Sequence, residues 1–194
     1  MLHLNAVIMA AGLSRRFGEN KLLLPLGGKP VMTHILEHFP FPLFHQVVVV
    51  YAHQEVKEIA ARYPVILAYN SCPEDGQGGS IRLGLAACED ADCTMFLVAD
   101  QPLLKTATIV KLVETCRAAP DAIVMPQVNG AARNPVFFPR FCLPQLKSLQ
   151  GDIGGRVVVK EHPERLLPVP FADPEEFIDI DTPEVYDRLT RNWV

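Results

Sequence analysis

The chain has 194 residues, 49% of them hydrophobic and 21% charged, with a formal net charge of −4. That is the make-up of an ordinary globular protein able to bury a substantial core, expected as one domain over 1–194, and its acidic balance argues against a broad nucleic-acid-binding face. No stretch approaches about 18 uninterrupted apolar residues and no basic segment precedes the first apolar run, so neither a membrane span nor a signal peptide is expected and the chain reads as cytoplasmic.

The first element is a short apolar strand, Ala6-Val7-Ile8-Met9, which empties into Ala10-Ala11-Gly12-Leu13-Ser14, with Arg15, Arg16 and Lys21 close behind. A small-residue turn lets backbone N–H groups approach a phosphate, and Arg16 and Lys21 supply charge-assisted bonds to its oxygens. The spacing is not that of the Walker loop, because Lys21 comes two places too late after Gly18. Leu22 to Pro30 reads as extended chain with a Gly27-Gly28 turn, and Met32, Ile35, Leu36 and Phe39 recur at helical spacing up to Pro40. His34 and His38 lie four apart on this helix, but without a third ligand they read as packed or exposed residues. Gln46 to Tyr51 is a strand apolar on both faces, Val56 to Tyr63 a helix, and Val65 to Ala68 a third strand. Strand, helix, strand, helix, strand opens a doubly wound sheet.

The next segment, Asn70 to Ser80, leads into a helix carrying Ile81, Leu85 and Cys88. Gly76-x-Gly78 is not a dinucleotide fingerprint, since the third glycine place is Ile81. Gly78, Gly79 and Ser80 instead read as the opening of a helix whose free N–H groups face a ligand, with Ser80 as cap and ligand donor. Thr94 to Val98 is the fourth strand, and Asp100 just beyond its carboxyl end sits where open α/β sheets bind ligands. One hard oxygen there suits Mg²⁺, and Thr106 or Thr108 is expected to cap the following helix. Ala122 to Met125 forms a fifth strand, after which Asn129 to Pro135 turns into Val136-Phe137-Phe138. Asp152 and Arg156, four apart, read as a loop before a helix or as a surface ion pair. Phe177 to Asp181 reads as a strand in which alternation places Asp179 and Asp181 on one face, with Asp181-Thr182-Pro183-Glu184 starting a last helix. Asp179 is taken as the second metal carboxylate and Asp181 as mainly structural. Five cysteines without a Cys-x-x-Cys pair support neither a disulfide framework nor structural zinc.

Ala10-Ala11-Gly12-x-Ser14-x-Arg16-x-Gly18-x-x-Lys21 resembles the signature of the nucleotidyltransferases that attach a nucleotide to molybdopterin, among them the molybdenum cofactor cytidylyltransferases. Asp100-Gln101-Pro102 resembles the metal-binding motif of that family. The resemblance implies a Rossmann-like, three-layer α/β/α domain with a mostly parallel sheet, akin to nucleotide-diphospho-sugar transferases. It implies Lys21, Arg16 and Asp100 as catalytic residues, Ala10, Ala11, Gly12, Ser14, Gly79 and Ser80 at the nucleotide, and Mg²⁺ as cofactor. Ala11 leans the base toward CTP. In the family the 130–135 segment usually reads Gly-x-Arg-Gly-Asn/His-Pro; here Ala132 stands at the arginine and Arg133 at the glycine, with Arg133 and Asn134 left to face the acceptor. The acceptor implied is molybdopterin, and a molybdoenzyme or its maturation factor is admitted as a partner. Alternatives are GTP as donor, a sugar phosphate or other phosphorylated acceptor, and a maturation factor that binds cofactor or nucleotide without turnover.

Overall fold

The computed structural model describes residues 2–193. Its central strand is β1 (Leu4–Ala10), nearly all buried. A two-stranded antiparallel hairpin follows, β2 (Pro25–Leu26) and β3 (Lys29–Pro30), turning through Gly27 and Gly28 at positive φ. Then come α1 (Val31–His38), β4 (Gln46–Tyr51), α2 (Gln54–Ala60), β5 (Ile66–Tyr69), α3 (Gly76–Ala87), β6 (Cys93–Val98) and α4 (Thr106–Ala118). The remaining elements are β7 (Ile123–Val128), β8 (Ala131–Ala132), β9 (Val136–Pro139), α5 (Leu143–Lys147), α6 (Arg156–Glu161), β10 (Leu166–Pro170) and α7 (Pro183–Asn192).

The main sheet runs β5-β4-β1-β6-β9-β7-β10, with β8 paired to β7. Parallel ladders join β5 to β4, β4 to β1, β1 to β6, and β7 to β10, while β9 lies antiparallel between β6 and β7. A strand buried on both faces needs apolar residues at every position, and β1 and β4 have them. Alternation divides those residues between two cores. Ala6, Ile8, Val47 and Val49 pack with Ile35 of α1, Val56 of α2, Leu112 of α4 and Leu189 of α7. Val7, Val48 and Val50 pack with Ile81 and Leu85 of α3, Leu146 of α5 and Val158 of α6. The result is a three-layer, Rossmann-like α/β/α arrangement. Gly84 brings α3 close to the sheet, because a Cβ there would strike the Val7 side chain.

The connections place β4 on one side of β1 and β6 on the other, so the strand order reverses between β1 and β6 and a crevice opens at their carboxyl ends. Met9 is registered with Val98, and the Ala99 N–H donates to the Met9 carbonyl at 3.1 Å. The turn after β1 and the Asp100 turn after β6 are thereby set side by side.

Several local expectations change. The 177–181 segment is not a strand: a 3₁₀ turn covers Glu175–Phe177, and the chain beyond it is anchored by the Ile180 N–H donating to the Asp100 carbonyl at 3.0 Å. Ser80 is not a cap, since α3 starts at Gly76, and the Gly78 N–H is taken by the Gly151 carbonyl at 3.1 Å. Neither threonine caps α4, whose cap is Lys105; Thr106 Oγ1 donates instead to the His38 carbonyl at 2.6 Å. β10 has no counterpart in the sequence reading. His34 is buried with Nε2 2.8 Å from the Leu26 carbonyl, and its ring lies against Trp193, which is packing rather than metal ligation.

Candidate active site

The loop after β1 is shaped by its own hydrogen bonds. Ser14 takes φ +48°, its carbonyl accepts the Phe17 N–H at 2.8 Å, and its Oγ accepts the Lys21 N–H at 3.1 Å. Asn20 Oδ1 caps the short Lys21–Leu23 turn by accepting the Leu22 N–H at 3.0 Å. The N–H groups of Gly12 to Arg16 donate to no acceptor among the described residues, which leaves them available to an anion. Tyr186 of α7 donates to the Pro25 carbonyl at 2.6 Å and holds the hairpin that follows Lys21.

Lys21 points from this loop across the crevice. Its ammonium pairs with Asp100 Oδ2 and lies 3.1 Å from Asp181 Oδ1. Burial pulls the Lys21 ammonium down, but the charge and hydrogen bond of Asp100, joined by Asp181, more than offset it, and the net shift is upward. Burial pushes the Asp100 carboxyl up, and Lys21 only partly counters it. Asp179, half-buried and close to Asp100 and Asp181, is pushed up to about 6, first by desolvation and then by its two like-charged neighbours.

A cavity of about 400 Å³ is lined by Ala11, Gly12, Ser14, Arg15, Lys21, Gln77, Ser80 and Asp100 among others. A second, also about 400 Å³, adjoins it and is lined by Phe96, Asn134, Phe138, Arg156 and Asp179. They share Met9, Gln77, Val98, Asp100, Asp152 and Asp181, so the two form one groove divided by acidic side chains. Asp152 Oδ1 accepts the Gln77 N–H at 3.4 Å and forms no ion pair with Arg156 among the described residues, which sets the surface-pair reading aside.

The groove gathers Ala11, Gly12, Ser14, Lys21, Ser80 and Asp100 at one end and Asn134 and Asp179 at the other. Arg16 is exposed and lies outside both lining sets; Arg15 occupies the wall instead. Ala10 is buried in the core, and Gly79 is buried beside Asp75, with neither lining the groove. Arg133 does not line it, its N–H being bonded to the Pro126 carbonyl at 2.9 Å. Asp181, read as structural, touches Lys21. The sequence carries a signal for this, since alternation places Asp181 beside Asp179, but Asp181 also directly precedes the Thr182 cap of α7, and that position suits a structural role equally well.

The residues fit a divalent ion. Asp100 Oδ1 is buried and has no hydrogen-bond partner among the described residues. Asp100 and Asp181 contact the Lys21 ammonium and Asp179 lies near enough to feel both of their charges; these are hard-oxygen donors suited to a divalent ion, although among the described residues no three of them lie close enough together to form a complete donor set.

A mostly parallel three-layer sheet with an anion-ready loop, a lysine and a carboxylate at its switch point marks a nucleotide-handling α/β enzyme. Residues 6–166 match the MobA-like NTP transferase domain, and the chain belongs to that family of nucleotidyltransferases, which bind an NTP and a phosphorylated acceptor. It is 35% identical over 201 residues to the purine catabolism protein PucB of Bacillus subtilis strain 168, covering 97% of each chain. Rv0371c of Mycobacterium tuberculosis H37Rv superposes with TM-score 0.80 at 25% identity over 98% of both chains, and has also been solved in complex with manganese. The molybdopterin-guanine dinucleotide biosynthesis protein A of Archaeoglobus fulgidus shares the fold, with TM-score 0.68 at 18% identity over 97% of both chains.

Proposed function

We propose that the chain transfers CMP from CTP to the terminal phosphate of molybdopterin, releasing pyrophosphate. The observation that carries this reading is the Lys21–Asp100 pair facing the unpaired amides of the loop after β1. An oxygen of the acceptor phosphate attacks the α-phosphorus in line; that P–O bond forms as the bond from the α-phosphorus to the β-bridging oxygen breaks, and pyrophosphate leaves with the electron pair. A phosphate monoester is already nucleophilic, so no covalent enzyme nucleophile is needed. Loop amides and Arg15 hold the triphosphate, and Lys21 meets charge developing on the transferred and departing phosphates. Asp100 and Asp179 would hold Mg²⁺, which supplies further neutralisation of phosphate charge when bound. Beyond the acidic divide, the floor of Phe96 and Phe138 with Asn134 and Arg156 at its rim suits a flat, phosphorylated acceptor.

What supports CTP is the likeness of Ala10-Ala11-Gly12 to the loop of the cytidylyl members of the resembled family; the physical account is that a methyl at Ala11, which lines the cavity, narrows the space for a purine, an effect of about 1–3 kcal/mol. The name of the B. subtilis relative speaks of purine catabolism and not of a cofactor, so the acceptor is the element most in need of test. Pyrophosphate release is to be measured with each of four NTPs against molybdopterin and a panel of sugar phosphates. The reading expects release with CTP and molybdopterin. A clear GTP preference, or release with a sugar phosphate alone, overturns the corresponding half.

A further inference from the structure

Asn70 is only 3% exposed and Ser80 8%, yet the chemistry above gives Asn70 nothing to do. It directly follows β5, and its N–H donates to the Tyr51 carbonyl at 2.7 Å, pinning its backbone to the end of β4. Its side-chain orientation is determined by a neighbour: the Cys72 N–H donates to Oδ1 at 3.0 Å. An amide nitrogen cannot accept that bond, so the end facing Ser80 is Nδ2. Nδ2 donates to Ser80 Oγ at 3.3 Å. A hydroxyl carries one proton, and this one is not spent on Asn70. Nor does Ser80 return a bond to the carbonyl one turn back in α3 among the described residues, while its side chain lines the first cavity.

Resting on the reading that this cavity holds the NTP, we propose that Asn70 is a positioning residue for base selection. By donating to Ser80 Oγ it fixes that hydroxyl as a donor toward the nucleobase. The cavity then favours a base that turns an acceptor-only stretch to Ser80, such as N3 and O2 of cytosine, over guanine, whose acceptor O6 is flanked by the N1–H and N2–H donors.

Asn70→Asp keeps the size of the side chain and the acceptor for Cys72, but presents an acceptor to Ser80. The hydroxyl then turns its proton to the carboxylate and shows only lone pairs to the base. The added charge acts on every triphosphate alike, so it cancels in a ratio. Binding of CTP and GTP by calorimetry, and kcat/KM where turnover is seen, should show the CTP-to-GTP preference falling by about tenfold, as the loss of one hydrogen bond predicts. In a Ser80→Ala background, Asn70→Asp should leave the ratio unchanged, because the relay is gone. An unmoved ratio in folded Asn70→Asp overturns the proposal, as does an equal fall in the Ser80→Ala background or a wild-type preference for GTP. Should Asn70→Asp not fold, Ser80→Ala alone decides: a drop in the ratio supports the donor role, and an unchanged ratio removes it. A wild-type protein that binds none of four NTPs overturns the underlying reading, an outcome distinct from an NTP-binding protein whose ratio does not move.

Discussion

Replacing Lys21 by alanine separates a lysine that serves the reaction from one that merely neutralises buried carboxylates. Its ion pair with Asp100 is mostly shielded, with side-chain exposures of 15% and 12%, whereas Asp181 is 58% exposed and contributes little to holding it. Losing the ammonium leaves Asp100 buried without a countercharge, but its carboxyl is already displaced upward and can take a proton in place of the ion pair. The stability cost is therefore expected to stay at about 1–2 kcal/mol rather than the roughly 3–5 kcal/mol of an uncompensated buried charge. The reaction has no such refuge. Charge developing on the transferred phosphate loses a preorganised partner, which costs on the order of 3 kcal/mol in the barrier, about a hundredfold in rate. Pyrophosphate release at saturating NTP, read beside a urea unfolding curve, measures both quantities. Turnover within about threefold of wild type in a cooperatively folded Lys21→Ala protein refutes the reasoning, since one cation removed from such a site should cost far more.

Further outcomes follow from particular contacts. Arg15→Ala should raise KM for the NTP several-fold and Arg16→Ala far less, because only Arg15 lines the cavity; equal effects would contradict that geometry. Asp179 moves from 3.8 to about 6 on folding, so at 1.36 kcal/mol per unit its ionised form costs about 3 kcal/mol. Its sign is that of a raised carboxylate: stability is full below the unfolded value near 3.8 and falls as pH rises toward 6. Asp179→Asn should then be more stable than wild type at pH 8 by about 1–3 kcal/mol and no more stable at pH 3.5, while losing turnover; thermal unfolding at the two pH values checks this. Gly84→Ala drives a methyl into Val7 and should lower the urea midpoint by the equivalent of about 1–3 kcal/mol with little change in slope.

The parts of this fold readable from sequence are those whose burial is two-sided. β1, β4 and β6 are apolar at nearly every position, and their limits fall within two residues of the runs that announce them. β10 escaped because Leu166–Pro170 holds two prolines, which a sheet accepts only where an N–H can be missing; the strand lies at the outer edge, paired to β7 alone. The direction of β9 was equally hidden, since an apolar run carries no sign of whether it enters parallel or antiparallel. Residues 177–181 alternate like a strand, but that pattern arises from Ile178 and Ile180 packing on the core while Asp179 and Asp181 line the groove. The groove itself was legible where side-chain chemistry is scarce in a chain, at Lys21 and Asp100. It is not legible between adjacent arginines: both Arg15 and Arg16 are exposed, and only Arg15 stands at the groove wall. Asn70 offers no sequence signal apart from following a strand.

The most direct test of the account is a crystal structure with CTP and Mg²⁺ bound. The account predicts the α-phosphate beside Lys21, the ion on Asp100, the triphosphate against the amides of Gly12 to Arg15, and the base at Ser80. A nucleotide seated outside the groove, or an ion held away from Asp100, would contradict it.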